Sequence, residues 1–173
     1  MAHSIELLLD ERADTAIRQL WQDLANAGLP SQLRVASDTN RPHITLIAAE
    51  RIAPDIDAPL AELAENLPIP AILGAPLIFG GGGRMTLARL VVPSGALLAL
   101  HDGVYDVCRP FVSGLFSHSA PGQWTPHVTL GRRFAGVQAG EALAIDGIAA
   151  DIRASIVGLR RWDGGAKREC LID

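Results

Sequence analysis

One pentapeptide occurs twice in this chain. Pro42-His43-Ile44-Thr45-Leu46 returns as Pro126-His127-Val128-Thr129-Leu130, 84 residues further on. In a chain of 173 residues that interval is close to half the length, and a repeat at such a spacing calls for two structurally similar lobes. The length suits one domain better than two independent ones. Residues 1–173 are therefore expected to form a single domain of two lobes, each carrying one copy of the motif at 43–46 and 127–130.

On a β-strand successive side chains point to opposite faces, so His43 and Thr45 share one face while Ile44 and Leu46 share the other. The same holds for His127 and Thr129 against Val128 and Leu130. Each copy thus anchors an apolar face in a core and presents an imidazole and a hydroxyl on the opposite side. If the lobes face each other, two histidines and two threonines meet in one cleft. An imidazole titrates near pH 6.5, so one histidine can remove a proton while the other delivers one near neutrality. A threonine hydroxyl beside each could donate to the non-bridging oxygens of a phosphate as charge builds in the transition state. A single His-x-Thr is more often a satisfied, half-buried histidine than a catalyst, and the duplication reverses that balance. A metal site is the other sharp alternative. However, His-x-Thr pairs one good ligand with a poor one, and no HExxH or carboxylate cluster lies nearby in sequence.

The rest of the chain supplies a scaffold. Residues 5–9 read as a strand, Asp10 as a helix N-cap, and Ile17, Leu20, Trp21 and Leu24 recur at helical spacing before Gly28 and Pro30. A strand follows at 44–47, then a second helical pattern through Leu60, Leu63 and Leu67. Residues 72–79 and 85–92 form a hairpin around the glycines at 80–83. That glycine run lacks the GK[ST] ending and does not open a helix, so a turn is favoured over a phosphate loop. A helix is expected at 95–108, with His101 on its surface or packed beneath it. Residues 113–123 read as a loop, 128–130 as a strand, and 145–148 and 152–162 lead to a hairpin that turns at 163–165 and returns at 170–172. The order departs from strict βαβ alternation, which points to an α+β fold with mostly antiparallel sheets.

Composition narrows the function classes. Hydrophobic residues make up 49% of the chain, enough for a core that excludes wholesale disorder. A formal net charge of −4 argues against a protein that coats nucleic acid or an anionic membrane, while leaving room for a local basic site. Cys108 and Cys170 are too few for a disulfide framework or a cysteine-built zinc site and read as bystander thiols. With no basic start to the first apolar run, no signal peptide is expected, and no apolar stretch is long enough to span a membrane. A cytoplasmic monomer without membrane partners is the expectation.

The paired His-x-Thr-x tetrapeptides, half a small α+β chain apart, resemble the 2H phosphoesterase superfamily and, within it, the bacterial 2′-5′ RNA ligase (LigT-like) family. The resemblance covers nearly the whole length, from the opening strand and helix through PHITL and the central hairpin to TPHVTLGR and the terminal strands. It implies a bilobal, pseudo-symmetric fold with two mostly antiparallel sheets flanking a central cleft and helices outside, needing no metal or organic cofactor. It also implies phosphodiesterase chemistry on 2′,3′-cyclic phosphates or 2′-5′ linked RNA ends, with reversible ligation in some members. By position, His43 and His127 match the catalytic histidines, and Thr45 and Thr129 the phosphate-binding hydroxyls. His127 is expected to act as base and His43 as acid, although pseudo-symmetry allows the reverse. Arg132 stands where such chains carry TLGR and could pair with a phosphate, with Arg41 and Arg133 as weaker candidates for the same basic rim. Trp124 and Phe79 either offer a base a stacking face or are core aromatics; His118 is expected in solvent, and His3 without a chemical role. The acidic balance favours small nucleotides or RNA ends over large RNA as substrates. The competing readings are a nucleotide-binding module with little turnover and a diesterase for a non-nucleotide substrate such as an ADP-ribose cyclic phosphate.

Overall fold

The computed structural model describes residues 2–172. In chain order the elements are β1 (His3–Leu9), α1 (Glu11–Asn26), β2 (His43–Ile52), α2 (Asp57–Ala64), β3 (Ile69–Phe79), β4 (Met85–Val91), α3 (Gly95–Cys108), β5 (Val112–Leu115), β6 (His127–Phe134), α4 (Gly136–Leu143), β7 (Ile152–Asp163) and β8 (Arg168–Ile172). The strands form one antiparallel sheet in the order β5-β2-β1-β7-β3-β4-β6, with β8 also paired to β7. β7 is the joint. β1 runs along one of its edges from Ile156 to Trp162, while β3 pairs with its first half and β8 with its second. The α+β, antiparallel architecture expected from the sequence is the one the chain adopts. The two expected sheets are continuous rather than separate, because the 12 residues of β7 are long enough to serve β1, β3 and β8 together.

The repeated motif sits in the sheet as its alternation requires. Ile44, Leu46, Val128 and Leu130 have no exposed surface, whereas His43, Thr45 and His127 are half-buried on the opposite face and Thr129 is nearly covered. Fully burying each such aliphatic side chain contributes about 1.5–3 kcal/mol. α1 supplies much of the core that receives them. The Asp10 carboxylate caps it by accepting from the Ala13 N–H at 3.1 Å, and Ile17, Leu20, Trp21 and Leu24 form its buried stripe against β6 and β7. α3 begins as expected, with Ser94 accepting from the Leu97 N–H at 3.2 Å, and packs against α2 and β2. His101 on α3 is packed, not exposed: its ring lies parallel to that of Trp124 at 4.0 Å and its Nε2 meets the Ser119 carbonyl at 3.0 Å.

Three local expectations are corrected. The second helix ends at Ala64, three residues before Leu67. Within the segment read as loop, Val112–Leu115 is a strand on the edge of β2, held by three register pairs despite Gly114 at φ 64°. α4 went unforeseen because two glycines and a largely exposed Val137 hide its period, and residues 145–148 form turns instead of a strand. The glycine run makes the turn between β3 and β4, with Gly80, Gly82 and Gly83 at positive φ. Among the described residues no helix is long and apolar enough to cross a membrane.

Candidate active site

His43 and His127 are each the first residue of a strand, and each follows a proline. The residue before a proline is held in extended backbone, and proline fixes its own φ. Together these constraints turn the carbonyl two residues back onto the imidazole. His43 Nδ1 meets the Arg41 carbonyl at 2.8 Å, and His127 Nδ1 meets the Thr125 carbonyl at 2.7 Å. A carbonyl oxygen can only accept, so both Nδ1 atoms carry the proton and donate. In each neutral ring the Nε2 lone pair is then left free. The Pro-His dipeptide therefore sets the tautomer as well as the position, twice and in the same way.

Both rings open onto one cavity of about 520 Å³, also lined by Thr45, Thr129 and Arg132. That volume falls in the range of small-molecule sites. Two tryptophans hold the motif strands. Trp124, just before the second motif, donates its indole N–H to the Thr45 carbonyl on β2 at 2.8 Å, while Trp21 of α1 donates to the Thr129 carbonyl on β6 at 3.1 Å. Phe79, Phe116 and Trp124 supply aromatic wall, with Phe79 tilted 49° against the His127 ring at 4.6 Å. Trp124 thus combines the two readings open to it, packed on His101 and lining the cavity.

Basic side chains outnumber acidic ones around this cavity. His3, His43, His118, His127 and Arg132 line it, and Glu6 is the only carboxylate among its lining residues. Burial pushes the His127 imidazole below its ordinary range, and the charges of Arg132, His43 and His118 push the same way, against the Thr125 carbonyl that favours the protonated ring. Burial alone would push the Glu6 carboxyl up. The charges of His43 and Arg160 and hydrogen bonds from Ser4 and Arg160 outweigh it and hold Glu6 below its usual range.

The structure brings five of the six singled-out site residues together. Arg41 is the exception: its guanidinium is directed to Glu169 at 3.2 Å, and it lies outside the lining of this cavity. Its carbonyl is held by His43, and its side chain leaves on the side of β8, where Glu169 lies. Arg133 is exposed in left-handed backbone, φ 68°, and also lies outside the lining. His118 and His3 both reach the cavity, His3 with its Nε2 3.5 Å from Asp163. Glu6 and Trp21 were missed. The signal for Glu6 was a lone carboxylate inside an otherwise apolar strand. Among the described residues no group of three or more His, Cys, Asp or Glu is gathered as a metal site requires.

An antiparallel α+β sheet with this topology has the fold of the LigT-like 2H phosphoesterases. The chain belongs to the 2′-5′ RNA ligase superfamily, whose family model matches residues 7–162. Solved structures agree on the fold. TT0787 of Thermus thermophilus is similar with a TM-score of 0.61 at 14% identity, covering 100% of this chain and 96% of its own. E. coli LigT in its apo form gives 0.57 at 16% identity over 99% of this chain and 94% of its own. Usb1 of Kluyveromyces marxianus, solved with uridine monophosphate, gives 0.52 at 12% over 99% and 96%. No curated protein sequence matches the chain.

Proposed function

We propose that this chain is a phosphodiesterase of nucleotide or RNA ends, one domain of two pseudo-symmetric halves that each contribute a histidine and a threonine to one site. The observation that carries the reading is the matched pair of rings on a single cavity, each with Nδ1 fixed on a backbone carbonyl and Nε2 left for chemistry. Membership of the superfamily supports phosphoesterase or ligase-type activity. The relatives support a nucleotide ligand, since LigT was solved with 3′-AMP and Usb1 with uridine monophosphate.

The substrate class is a 2′,3′-cyclic phosphate or a 2′-5′ linked end. The phosphate lies between the two Nε2 atoms, with Thr45 and Thr129 hydroxyls and the Arg132 guanidinium donating to its non-bridging oxygens, and the base against the aromatic wall. His127, kept uncharged by its surroundings, takes a proton from water as the water oxygen bonds to phosphorus. The phosphorus–oxygen bond to the ribose breaks, and the leaving oxygen takes its proton from Nε2 of protonated His43. The products are a phosphomonoester and a free ribose hydroxyl. With the 5′-hydroxyl of a second strand attacking a 2′,3′-cyclic phosphate in place of water, the same groups would form a 2′-5′ linkage as the bond to the 3′ oxygen breaks and that oxygen takes the proton from His43, which requires exclusion of water from the cleft. Both proton transfers use protein side chains, so the reaction is expected to proceed without a metal.

The test is turnover of the four 2′,3′-cyclic nucleotides and a 2′-5′ dinucleotide, with chelator present. Product formation that persists in chelator and disappears in His43→Ala and His127→Ala supports the reading. Nucleotide binding without product, or activity abolished by chelator, overturns it.

A further inference from the structure

The two copies of the motif are alike in sequence and in tautomer, but the strands beside them differ. On β1, Glu6 is the register partner of Thr45 and Leu8 of His43. On β4, Ala88 is the partner of Thr129 and Leu90 of His127. Glu6 and Ala88 therefore occupy equivalent places, one a carboxylate and the other a methyl group.

Glu6 belongs to a closed ring of charges around His43. Its Oε1 stands 3.7 Å from His43 Nε2 and accepts from the Ser4 hydroxyl at 2.5 Å. Its Oε2 accepts from Arg160 Nε at 2.7 Å, and the other end of that guanidinium reaches Glu169 Oε2 at 2.6 Å. Glu169 Oε1 accepts from Arg41 at 3.2 Å, and the Arg41 carbonyl accepts from His43 Nδ1. The ring thus meets both nitrogens of one imidazole. Glu6 and Arg160 are 4% and 3% exposed, so water screens their charges little. At 3.7 Å the Glu6 contact is too long for a hydrogen bond and suits an ion pair with a protonated ring. The other titratable side chains lining the cavity are His3, His118, His127 and Arg132, none of them a carboxylate.

We propose that Glu6, held by Arg160, Glu169 and Arg41, is a positioning residue that makes His43 the proton donor of the pair, with Ala88 leaving His127 as the acceptor. This rests on the two-histidine reading above. Arg160 and the Ser4 hydroxyl keep the Glu6 carboxylate charged against the cost of its burial, and the low position of its carboxyl agrees with that.

The experiment is the pH profile of kcat/KM on a 2′,3′-cyclic nucleotide for the parent and Glu6→Gln, alongside NMR titration of the histidine ring signals. Loss of the carboxylate should move the alkaline limb, which reports the proton donor, to lower pH by on the order of one unit, and leave the acidic limb in place. The His43 ring signal should shift its midpoint the same way while the His127 signal stays. A fixed alkaline limb with a fixed His43 signal, or movement of the His127 signal instead, overturns the assignment. If the parent turns over no phosphodiester, the functional reading fails by itself, and the ring titration still decides what Glu6 does to His43. If Glu6→Gln does not fold, Glu169→Gln, at the outer end of the ring, should give a smaller shift in the same direction; no shift overturns the proposal.

Discussion

Gly131 lies in β6 between the second motif and Arg132, and its missing side chain is filled by another part of the backbone. A Cβ placed there would stand 2.8 Å from Phe134 Cε2 and 2.9 Å from the Pro30 carbonyl carbon, and closer still to the Pro30 oxygen. Ordinary contact begins at 3.4 Å, so Gly131→Ala requires an opening of about 1 Å. Neither neighbour yields readily. Phe134 is fully buried, and the segment around Pro30 is pinned by Leu29 N–H to the Leu24 carbonyl at 2.9 Å and by Ser31 Oγ to the Trp21 carbonyl at 2.6 Å. Overpacking against such surroundings costs about 3 kcal/mol, and for a chain of this size that lowers Tm by roughly 6–12 °C. Displacing residues 29–31 also strains Trp21, whose indole holds the Thr129 carbonyl, so kcat should fall with Tm. The assay is thermal unfolding by circular dichroism with turnover measured well below the transition. The control is Gly140→Ala inside α4, where nothing lies within 4 Å and loss of glycine should stabilise by about 0.5–1 kcal/mol. If both variants melt together with the parent, the close approach at Gly131 does not govern this edge.

His43→Ala and His127→Ala should each lower turnover of a 2′,3′-cyclic nucleotide by roughly 10²–10⁴ with the melting curve retained, and parental rates in either would remove that ring from the chemistry. A base whose protonated form is disfavoured works to lower pH, so the acidic limb of kcat/KM should lie below the ordinary imidazole range; Arg132→Gln removes one charge that disfavours it and should move that limb upward. Asp10 has its carboxyl lowered from 3.8, because N–H groups of Ser155 and Ala13 outweigh the cost of burial. Its contribution is present above pH 3.8 and is lost as pH falls through the lower folded value, so Asp10→Ala should lose about 0.5–2 kcal/mol at pH 7, a gap that closes in acid when denaturant midpoints are compared.

Much of this fold was legible because local rules and tertiary packing agree. Asp10, Ser94 and the stripe Ile17, Leu20, Trp21, Leu24 state helix starts and faces that the sheet then uses. β5 was illegible for the opposite reason: four residues with Gly114 at positive φ have no strand signal of their own and exist through pairing with β2. α4, with two glycines in eight residues, likewise depends on the buried Ala139 and Ala142 rather than on propensity. At the site, the repeat located the histidines and threonines because alternation along a strand is a local property. The fate of Arg41 was not local. Its pairing with Glu169 spans 128 residues and follows only from β8 returning beside β7.

Glu6 shows why duplicated motifs alone leave the direction of such chemistry open. Two identical rings with identical carbonyl locks would be interchangeable, so the motifs alone do not assign which ring donates and which accepts. What separates them is the strand at their side. β1 brings a carboxylate opposite Thr45, with Arg160 of β7 as its own register partner; β4 brings Ala88 opposite Thr129, with Leu77 of β3 as its partner. The reciprocal change follows. Ala88→Glu would place a second carboxylate beside His127 without a guanidinium to hold it, and at a site with no exposed surface an unpaired charge is strongly disfavoured. Such a variant should lose stability in urea titration at pH 7 and regain part of it toward pH 5 as the new carboxyl takes up a proton. A variant as stable as its parent at both pH values would mean that the paired-strand position does not face a dry interior, and the contrast between Glu6 and Ala88 would lose its force.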